Sequence, residues 1–405
     1  MAKLIGPFTQ IVTLKDAPNR GPLNDGQLDI ITDAAVILDE GKIVEVGFFK
    51  AYNPSDFSHY RIDKPTVLVP GLVDCHTHLI WGGSRAGDYA LRSAGHTYQE
   101  ILAAGGGIFD SVEKTQKASD QLLLNDLLFR INQHLQAGIT TIEVKTGYGL
   151  LPEQEIRLLK IIREAKAMSS ADLVATCLAA HVCPKGLTAE QFLAMLTDEL
   201  LPEIFVKGLA RRVDIFVEDH AFPMVLAEKY LRSAKKLGFD LTVHADQFTT
   251  GGSELAITLG AQSADHLEVS GPKELAALAK SDVTPVVLPG ASLGLGLPFA
   301  PARKLLNAGT GLAISTDWNP GSAPMGDLWT QAALLGVYEK LSAAELFAGI
   351  TFRAAAALGL QDRGRIKVGK KADFVGFSIS DFREIFYNQG SLKPTMVWKN
   401  GTLLK

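Results

Sequence analysis

Residues 67–78, VLVPGLVDCHTH, form an apolar run that ends in two histidines separated by one residue. Side chains alternate across a β-strand, so His76 and His78 are expected to project together from the end of a buried strand. Two converging imidazoles make half of a metal site. Two histidines that donate to loop carbonyls would give the same local sequence, so the rest of the chain has to decide between these interpretations.

Beyond this run, strand-like segments alternate with helical ones such as 153–167 and 189–209, the pattern of βα units around a parallel sheet. The later strand-like segments are residues 140–145, 173–181, 213–218, 240–244, 263–266, 284–288 and 312–317. Together with the first run they make about eight strands. This count predicts an α/β fold of the TIM-barrel type, (β/α)8.

A doubly wound open sheet is the alternative fold. Such sheets usually carry a glycine-rich phosphate turn after their first strand, whereas this first strand ends in His-x-His. The glycine run at residues 105–107 follows no apolar strand. We therefore interpret it as a mobile loop between a strand and a helix, and not as a nucleotide cradle.

The two ends of the chain depart from the alternating pattern. Residues 34–47 predict a hairpin that turns at Asp39-Glu40-Gly41-Lys42, where glycine supplies the positive φ that the turn needs. Residues 372–377 and 394–402 also predict short strands. Each terminal piece is too small to bury a core alone. We predict that residues 1–66 and 369–405 form one composite β-sandwich domain beside a barrel of residues 67–368.

The composition excludes several classes of protein. The net charge of −4 and pI near 6.2 give no basic patch for nucleic acid or an anionic membrane. The sequence contains no apolar run long enough to span a bilayer, and its first residues do not resemble a signal peptide. Cys75, Cys177 and Cys183 are an odd number at unrelated spacings, which indicates a reducing compartment. We expect a cytoplasmic protein with no nucleic-acid or membrane partner.

Histidines gather where the predicted strands end, the face that carries the active site in a TIM barrel. Six of the nine histidines lie there: His76, His78, His181, His220, His244 and His266. Together with Asp317, which ends the eighth strand, three of them form a candidate mononuclear metal site: His76, His78 and His244. Such nitrogen and oxygen ligands suit Zn, Fe, Mn or Ni. A core histidine at 244 and a helix cap at Asp317 are the alternatives.

Two segments resemble the amidohydrolase superfamily: residues 70–78, PGLVDCHTH, and residues 364–373, GRIKVGKKAD. The late strand that ends in Asp317 fits the same pattern. The resemblance implies a TIM barrel with a flanking β domain and metal-dependent hydrolysis. Many members bridge two metals with a carboxylated lysine on the fourth strand, but residues 213–218 contain no lysine. We therefore expect one Zn2+ or Fe3+ per chain, and we interpret Lys145, on the second strand, as structural or charge-balancing.

Further segments are similar to the imidazolonepropionase family: residues 77–85, 143–150, 179–184, 244–247, 263–268 and 316–322. This chain has Ile80-Trp81 where the family often has Val-Phe, Gln247 where it sometimes has Glu, and Ser322 where it sometimes has Thr. The resemblance implies hydrolysis of the cyclic amide of 4-imidazolone-5-propanoate to N-formimidoyl-L-glutamate, the third step of histidine degradation. It is also compatible with a homodimer.

That substrate implies several binding residues. Arg85 would grip the propionate with two parallel hydrogen bonds, and Tyr148 would hold the tail or the ring. His181 would donate to the ring carbonyl, and a loop of donors and acceptors would hold the opened product: Asn319, Gly321 and Ser322. The alternatives are a solvated arginine, a packing tyrosine and an ordinary Asn-Pro-Gly-Ser turn.

Proton transfer needs a group outside the metal set. His266 is the candidate general base for the attacking water, with Gln247 as the residue that orients it, because an amide cannot take a proton. Asp317 would carry the proton to the departing ring nitrogen. One alternative is a purine or pyrimidine aminohydrolase, which has no use for a carboxylate grip at Arg85. The other is a non-catalytic scaffold, which would have lost its metal ligands.

Overall fold

The structure, a computed structural model, describes residues 2–219 and 221–405. The chain begins with five strands: β1 (Lys3–Val12), β2 (Ile30–Asp39), β3 (Lys42–Phe48), β4 (Ser58–Arg61) and β5 (Val67–Pro70). The predicted hairpin is confirmed, since β2 and β3 pair antiparallel with Asp39 opposite Lys42. Glu40 and Gly41 between them both have positive φ, as a tight two-residue turn requires.

Eight parallel strands follow: β6 (Leu72–Asp74), β7 (Ile139–Lys145), β8 (Asp172–Ala180), β9 (Arg212–Ile215), β10 (Asp240–Ala245), β11 (Ser263–His266), β12 (Thr284–Val287) and β13 (Ala313–Ile314). Within the described chain, their order in the sheet is their order in sequence. The residues beyond β6 and β13 then meet. The Asp317 N–H donates to the His76 carbonyl, and the His78 N–H donates to the Trp318 carbonyl, each at 3.0 Å. The predicted TIM barrel is confirmed.

The chain ends with β14 (Phe374–Phe377), β15 (Met396–Lys399) and β16 (Thr402–Leu403). They join the first strands in one mixed sheet of order β16-β15-β14-β5-β1-β2-β3, with β4 beside β1. The predicted domain of both termini is therefore present.

One assignment within the first run is corrected. Residues 67–70, expected to begin the barrel, pair with β1 and β14 in the terminal sheet, and the chain enters the barrel only after Gly71. A Cβ at Gly71 would lie 2.6 Å from Thr140 Oγ1, so the crossing point has no room for a side chain. The boundaries 1–66, 67–368 and 369–405 stay a proposal, because strand pairing alone does not delimit folding units.

Helices connect the strands: α1 (Ala86–Ser93), α2 (Tyr98–Ala103), α3 (Ile108–Lys117), α4 (Asp120–Gln136), α5 (Pro152–Met168), α6 (Ala189–Met195), α7 (Leu201–Lys207), α8 (Met224–Leu237), α9 (Gly252–Leu259), α10 (Pro272–Ala279), α11 (Pro289–Leu295), α12 (Ala302–Asn307), α13 (Leu328–Glu339), α14 (Ala343–Gly349), α15 (Phe352–Ala357) and α16 (Arg383–Tyr387). Three short 3₁₀ segments and one π turn complete the described elements: Asp25–Leu28, Phe49–Ala51, Pro54–Asp56 and Leu196–Leu200. No helix among the described residues is long and apolar enough to cross a membrane.

The apolar residues divide between the two parts of the fold. The largest buried cluster fills the barrel and the layer of helices around it. The terminal sheet has a smaller core of its own, which includes Phe8, Phe374 and Trp398. Salt bridges also connect the barrel to the terminal sheet. Asp172 at the start of β8 lies 2.9 Å from Lys399 in β15 and 2.8 Å from Lys371.

Candidate metal centre and substrate site

The predicted metal ligands meet at the carboxyl end of the barrel. Ligand atoms of His76, His78 and Asp317 lie within 4.8 Å of one another, and so do those of His76, His244 and His266. His76 belongs to both groups. The structure therefore brings together all four predicted ligands, and it places His266, predicted as the base, beside them.

Two ring nitrogens at this centre have no hydrogen-bond partner among the described residues. Nε2 of His76 and Nε2 of His244 are buried and meet no hydrogen-bond partner among the described residues. Asp317 Oδ1 lies 3.5 Å from His76 Nε2 and 3.3 Å from His78 Nε2. Unpartnered imidazole nitrogens beside a carboxylate oxygen are the ligand atoms that a divalent or trivalent metal ion prefers. The residues fit a metal.

A carboxylate lies close to Nδ1 of His76 and another lies close to Nδ1 of His244. His76 Nδ1 lies 2.7 Å from Asp265, and His244 Nδ1 lies 2.9 Å from Asp214. A carboxylate at Nδ1 keeps the proton there and leaves Nε2 free to bind a metal. Sequence analysis assigned no role to either aspartate. A detectable signal exists for Asp214, since it is an acidic residue inside the buried strand β9.

Lys145 contacts the carboxylate of Asp214, lies near that of Asp265 and is fully buried. Its Nζ is 2.8 Å from Glu143 and 2.8 Å from Asp214, with Asp265 at 3.8 Å. A buried charge of this kind is tolerated only when it is paired. The interpretation of Lys145 as a charge-balancing residue agrees with these contacts.

The histidines of the centre differ in proton affinity. Burial lowers the pKa of His244 to about 3, although Asp214 opposes this. Burial and Lys145 also disfavour the charged form of His76, but Asp265 and Asp317 outweigh them and raise its pKa to about 9. Burial works against an ionised Asp317, yet its contacts with His76 and His78 hold the pKa of that carboxyl well below its usual range. The Asp317 carboxyl is therefore ionised, as a metal ligand would need to be.

Backbone strain is concentrated where the strands end. Asp246, His266 and Asp317 have φ of 53°, 85° and 52°, values that non-glycine residues adopt only at some cost in energy. The Asp246 carboxylate holds its turn by accepting from Ser253 and Ser270 hydroxyls. These unfavourable φ values lie beside the candidate metal ligands. They indicate that the surrounding structure fixes the positions of the three side chains.

The predicted propionate ligand Arg85 lies at the rim of the barrel. Its Nε donates to Asp88 Oδ2 at 2.7 Å, and its side chain is 12% exposed. A Cβ on Gly321 would lie 2.3 Å from Arg85 Nη1, so the loop after β13 packs its backbone directly against the guanidinium. The structure thus brings Arg85 and Gly321 together.

Asn319 uses its amide within that same loop. Its Nδ2 donates to the Asp317 carbonyl at 2.7 Å and to Ser322 Oγ at 3.0 Å. Its Oδ1 accepts from the N–H groups of Gly321 and Ser322 at 2.7 and 2.9 Å. All four hydrogen-bonding positions of the amide are therefore occupied, and Asn319 shapes the loop that carries Gly321 and Ser322.

Tyr148 and His181 lie beside His78. The His181 ring stacks on His78 with centroids 5.2 Å apart, and the Tyr148 ring lies 5.7 Å from His181. His181 Nδ1 lies 3.3 Å from the Gly147 carbonyl. A carbonyl can only accept, so Nδ1 carries the hydrogen and Nε2 of the neutral ring is an acceptor. Burial and the neighbouring histidines hold the pKa of His181 well below its usual value.

Gln247 follows β10 and is buried, in a segment that Glu218 anchors. Glu218 accepts from the backbone N–H of Phe248 at 2.9 Å and from the Thr249 hydroxyl at 2.5 Å. Contact between Gln247 and His266 stays a prediction. His220, also expected at the end of the fourth strand, lies outside the described residues.

The sequence was compared with protein families and with curated proteins. The model of the amidohydrolase family matches residues 67–404. An imidazolonepropionase from Bdellovibrio bacteriovorus is 39% identical over 416 residues, which cover 99% of this chain and 96% of that protein. An imidazolonepropionase from Deinococcus radiodurans is 40% identical over 398 residues, which cover 98% of each chain.

Solved structures share the fold at low sequence identity. An adenosine deaminase from Xanthomonas campestris with bound zinc has a TM-score of 0.72 at 19% identity, over 99% of this chain and 92% of that one. An atrazine chlorohydrolase from Arthrobacter aurescens complexed with zinc has a TM-score of 0.71 at 18% identity, over 99% of this chain and 95% of that one. At such identities the likeness shows a common fold and no common substrate.

Proposed function

Since this chain is a hydrolase of the amidohydrolase family and belongs, within it, to the imidazolonepropionases, we propose that it hydrolyses 4-imidazolone-5-propanoate to N-formimidoyl-L-glutamate. The observation that carries the proposal is the loop after β13, which begins at the candidate ligand Asp317 and packs the backbone of Gly321 against the Arg85 guanidinium. An imidazolone ring with a propionate tail needs both. A purine or pyrimidine aminohydrolase needs the ligands but has no use for the arginine.

We propose that one Zn2+ or Fe3+ per chain is held by His76, His78, His244 and Asp317. The orphaned Nε2 atoms and the ionised Asp317 support this set. When bound, such an ion supplies Lewis acidity, which polarises a carbonyl and acidifies a water molecule. The chain has no lysine in residues 213–218 to bridge a second ion, which supports a single metal.

The tail and ring would be held from two sides. Arg85 would grip the propionate through its Nη groups, since its Nε is already bonded to Asp88. Tyr148 would close the opposite side, and Gly321 and Ser322 would contact the opened product through the loop that Asn319 shapes. Neutral His181 presents Nε2 as an acceptor, so we propose that it accepts from a ring N–H of the substrate, in place of the predicted donation to the ring carbonyl.

Hydrolysis requires one proton to move from water to a ring nitrogen. His266 would take one proton of the attacking water, helped by Gln247, while the water oxygen bonds to the ring carbonyl carbon and the carbonyl π electrons move to the carbonyl oxygen. The carbonyl bond then re-forms as the C–N bond breaks, and Asp317 would pass the second proton of the former water to the departing nitrogen. The product acid would leave as a carboxylate, and His266 would return its proton to solvent. The Glu268 carboxylate lies 3.4 Å from His266 Nδ1. This contact supports Nε2 as the His266 nitrogen that would take the proton.

The test is identification of the product by mass spectrometry. Purified protein would be given freshly generated 4-imidazolone-5-propanoate and, in parallel, adenosine and cytosine. Formation of N-formimidoylglutamate with no release of ammonia from adenosine or cytosine is the expected result. Deamination of adenosine or cytosine at a higher kcat/KM would favour the aminohydrolase alternative.

We further propose a cytoplasmic enzyme that acts on a small molecule, with no nucleic-acid partner, and that forms a homodimer. The net charge of −4 supports the lack of affinity for nucleic acid. Three free thiols, Cys75, Cys177 and Cys183, support a reducing compartment. Light scattering of the purified chain tests the dimer.

A further inference from the structure

The glycine run at residues 105–107 takes no part in the proposed reaction, yet it closes on a carboxylate beside the substrate site. The Gly107 N–H donates to Asp88 Oδ2 at 2.9 Å. A Cβ on Gly106 would lie 2.4 Å from Asp88 Oδ1. Asp88, in α1, is only 6% exposed. The turn therefore wraps the carboxylate so closely that a side chain at position 106 has no room.

The same carboxylate oxygen holds Arg85. Asp88 Oδ2 accepts from Arg85 Nε at 2.7 Å, and Arg85 Nη1 lies against Gly321 on the other side of the rim. When Nε of a guanidinium is already bonded, its two terminal Nη groups can still donate together to a second carboxylate. Asp88 thus determines the direction in which the free edge of Arg85 points.

The charges at the rim suit one carboxylate. Burial works against an ionised Asp88, but the bonds from Gly107 and Arg85 lower the pKa of this group below its usual value. Arg92, which donates to the Gly294 carbonyl, adds a second cation nearby. Two arginines and one aspartate leave one net positive charge for the single negative charge of the tail.

We propose that Asp88 is the positioning residue that aims Arg85 at the carboxylate tail of the substrate, and that the Gly106–Gly107 turn holds Asp88 for this task. The inference rests on the proposed function, because it needs a substrate with a carboxylate tail. It gives the glycine run a role in substrate specificity.

Variants that conserve charge test this role most sharply. Asp88→Asn changes two things at once, because loss of a negative charge also strengthens the attraction of the rim for any carboxylate. Gly106→Ala and Asp88→Glu keep the net charge and displace the carboxylate. The matched control is Gly105→Ala, since position 105 has a positive φ and an added Cβ there meets no atom within 4 Å. It strains the same turn without contact to Asp88.

The metal-loaded enzyme would be inhibited with 3-(imidazol-4-yl)propanoate and with 4-methylimidazole, two stable rings that differ in the tail. The parent enzyme should prefer the tailed ring. Gly106→Ala and Asp88→Glu should each reduce this preference by on the order of 10-fold, because a misplaced guanidinium loses its aligned bonds. Affinity for 4-methylimidazole and the kcat of the reaction should change less than about threefold. Gly105→Ala should keep the preference of the parent.

Three results would overturn the inference. Equal loss of affinity for both rings would make Asp88 a structural residue, and an unchanged preference in both variants would separate Asp88 from substrate binding. In either case the propionate grip of Arg85 would stand, since the parent retains its preference. A parent enzyme without any preference for the tail would overturn that grip and this inference together.

Discussion

His244 can be tested as a metal ligand without loss of the fold, because its two ring nitrogens have different surroundings. Nδ1 lies 2.9 Å from an Asp214 carboxylate oxygen, whereas Nε2 is buried and has no hydrogen-bond partner among the described residues. We expect His244→Ala to lose most of the bound metal and to keep the barrel folded. Metal analysis and circular dichroism check this, with His59→Ala in the terminal sheet as the control. A fully loaded His244→Ala protein would remove His244 from the ligand set.

Arg85 is expected to depend on the shape of its side chain as well as its charge. Lysine would place a point charge where a planar fork now lies. Loss of one charge-assisted hydrogen bond costs roughly 1.5–3 kcal/mol, so Arg85→Lys should lower kcat/KM by about 10- to 100-fold. Arg232→Lys, on the exposed face of α8, is the control. An undiminished Arg85→Lys enzyme would place Arg85 outside the substrate site.

His266 is expected to act in proton transfer. His266→Ala should keep its metal and its fold while kcat falls by on the order of 100- to 10,000-fold, the usual cost of losing a general base. Metal content and steady-state kinetics measured on the same sample check this. Since His266 lies within ligand distance of His76 and His244, loss of metal would instead make it a ligand. Near-normal turnover with metal retained would leave the base role to Asp317.

The candidate metal ligands were predicted from the sequence, whereas the carboxylates that contact them were not. His76, His78 and Asp317 each end a strand, and strand ends of one barrel meet at one face. Asp265 supports His76 through a contact across strands, which no local pattern encodes. The tautomer of His181 was also beyond the sequence, because it depends on the carbonyl of Gly147 in another loop.

The strands of the barrel carry buried charged side chains around Lys145. Lys145→Met would leave three carboxylates without their cation: Glu143, Asp214 and Asp265. Removal of one partner from a buried ionic network costs roughly 3–5 kcal/mol. We expect this loss in the free energy of unfolding measured with urea. Lys117→Met, which breaks the exposed pair with Glu113 in α3, should leave the free energy of unfolding almost unchanged. A similar small loss in Lys145→Met would make the network unimportant for stability.

Element boundaries were less predictable than element types. Residues 189–209 carry a helical pattern, but the structure divides them into α6, a π turn and α7. Pro202 lies in the first turn of α7, where its missing N–H forces a break in the bonding of the helix. The run from residue 67 likewise looks like one strand, and only pairing with β14 from the distant carboxyl terminus divides it.

Asp172 links the barrel to the terminal sheet and makes the stability of the protein depend on pH. Burial disfavours its ionised form, but Lys371, Lys399 and Arg363 outweigh this and lower its pKa from 3.8. A carboxyl with a lowered folded-state pKa stabilises the fold above its unfolded-state pKa, and this contribution is lost as the pH falls through the folded-state value.

We therefore expect Asp172→Asn to be less stable than the parent by on the order of 1–2 kcal/mol above about pH 5, and the difference to shrink below about pH 4. Urea unfolding of both proteins across this pH range checks the expectation. A difference that is constant with pH, or that grows in acid, would show that the Asp172 carboxylate does not join the two parts through its charge.

The barrel with a sheet of both termini was predictable, because periodic patterns along the chain report parallel strands and the two end pieces each lack a core. Metal titration of the purified chain tests whether hydrolysis of the imidazolone ring depends on a bound metal ion. Turnover of freshly generated 4-imidazolone-5-propanoate should stop after treatment with a chelator and return in full with about one equivalent of Zn2+ or Fe3+. Full turnover by the metal-free chain, or a need for two ions, would contradict the account.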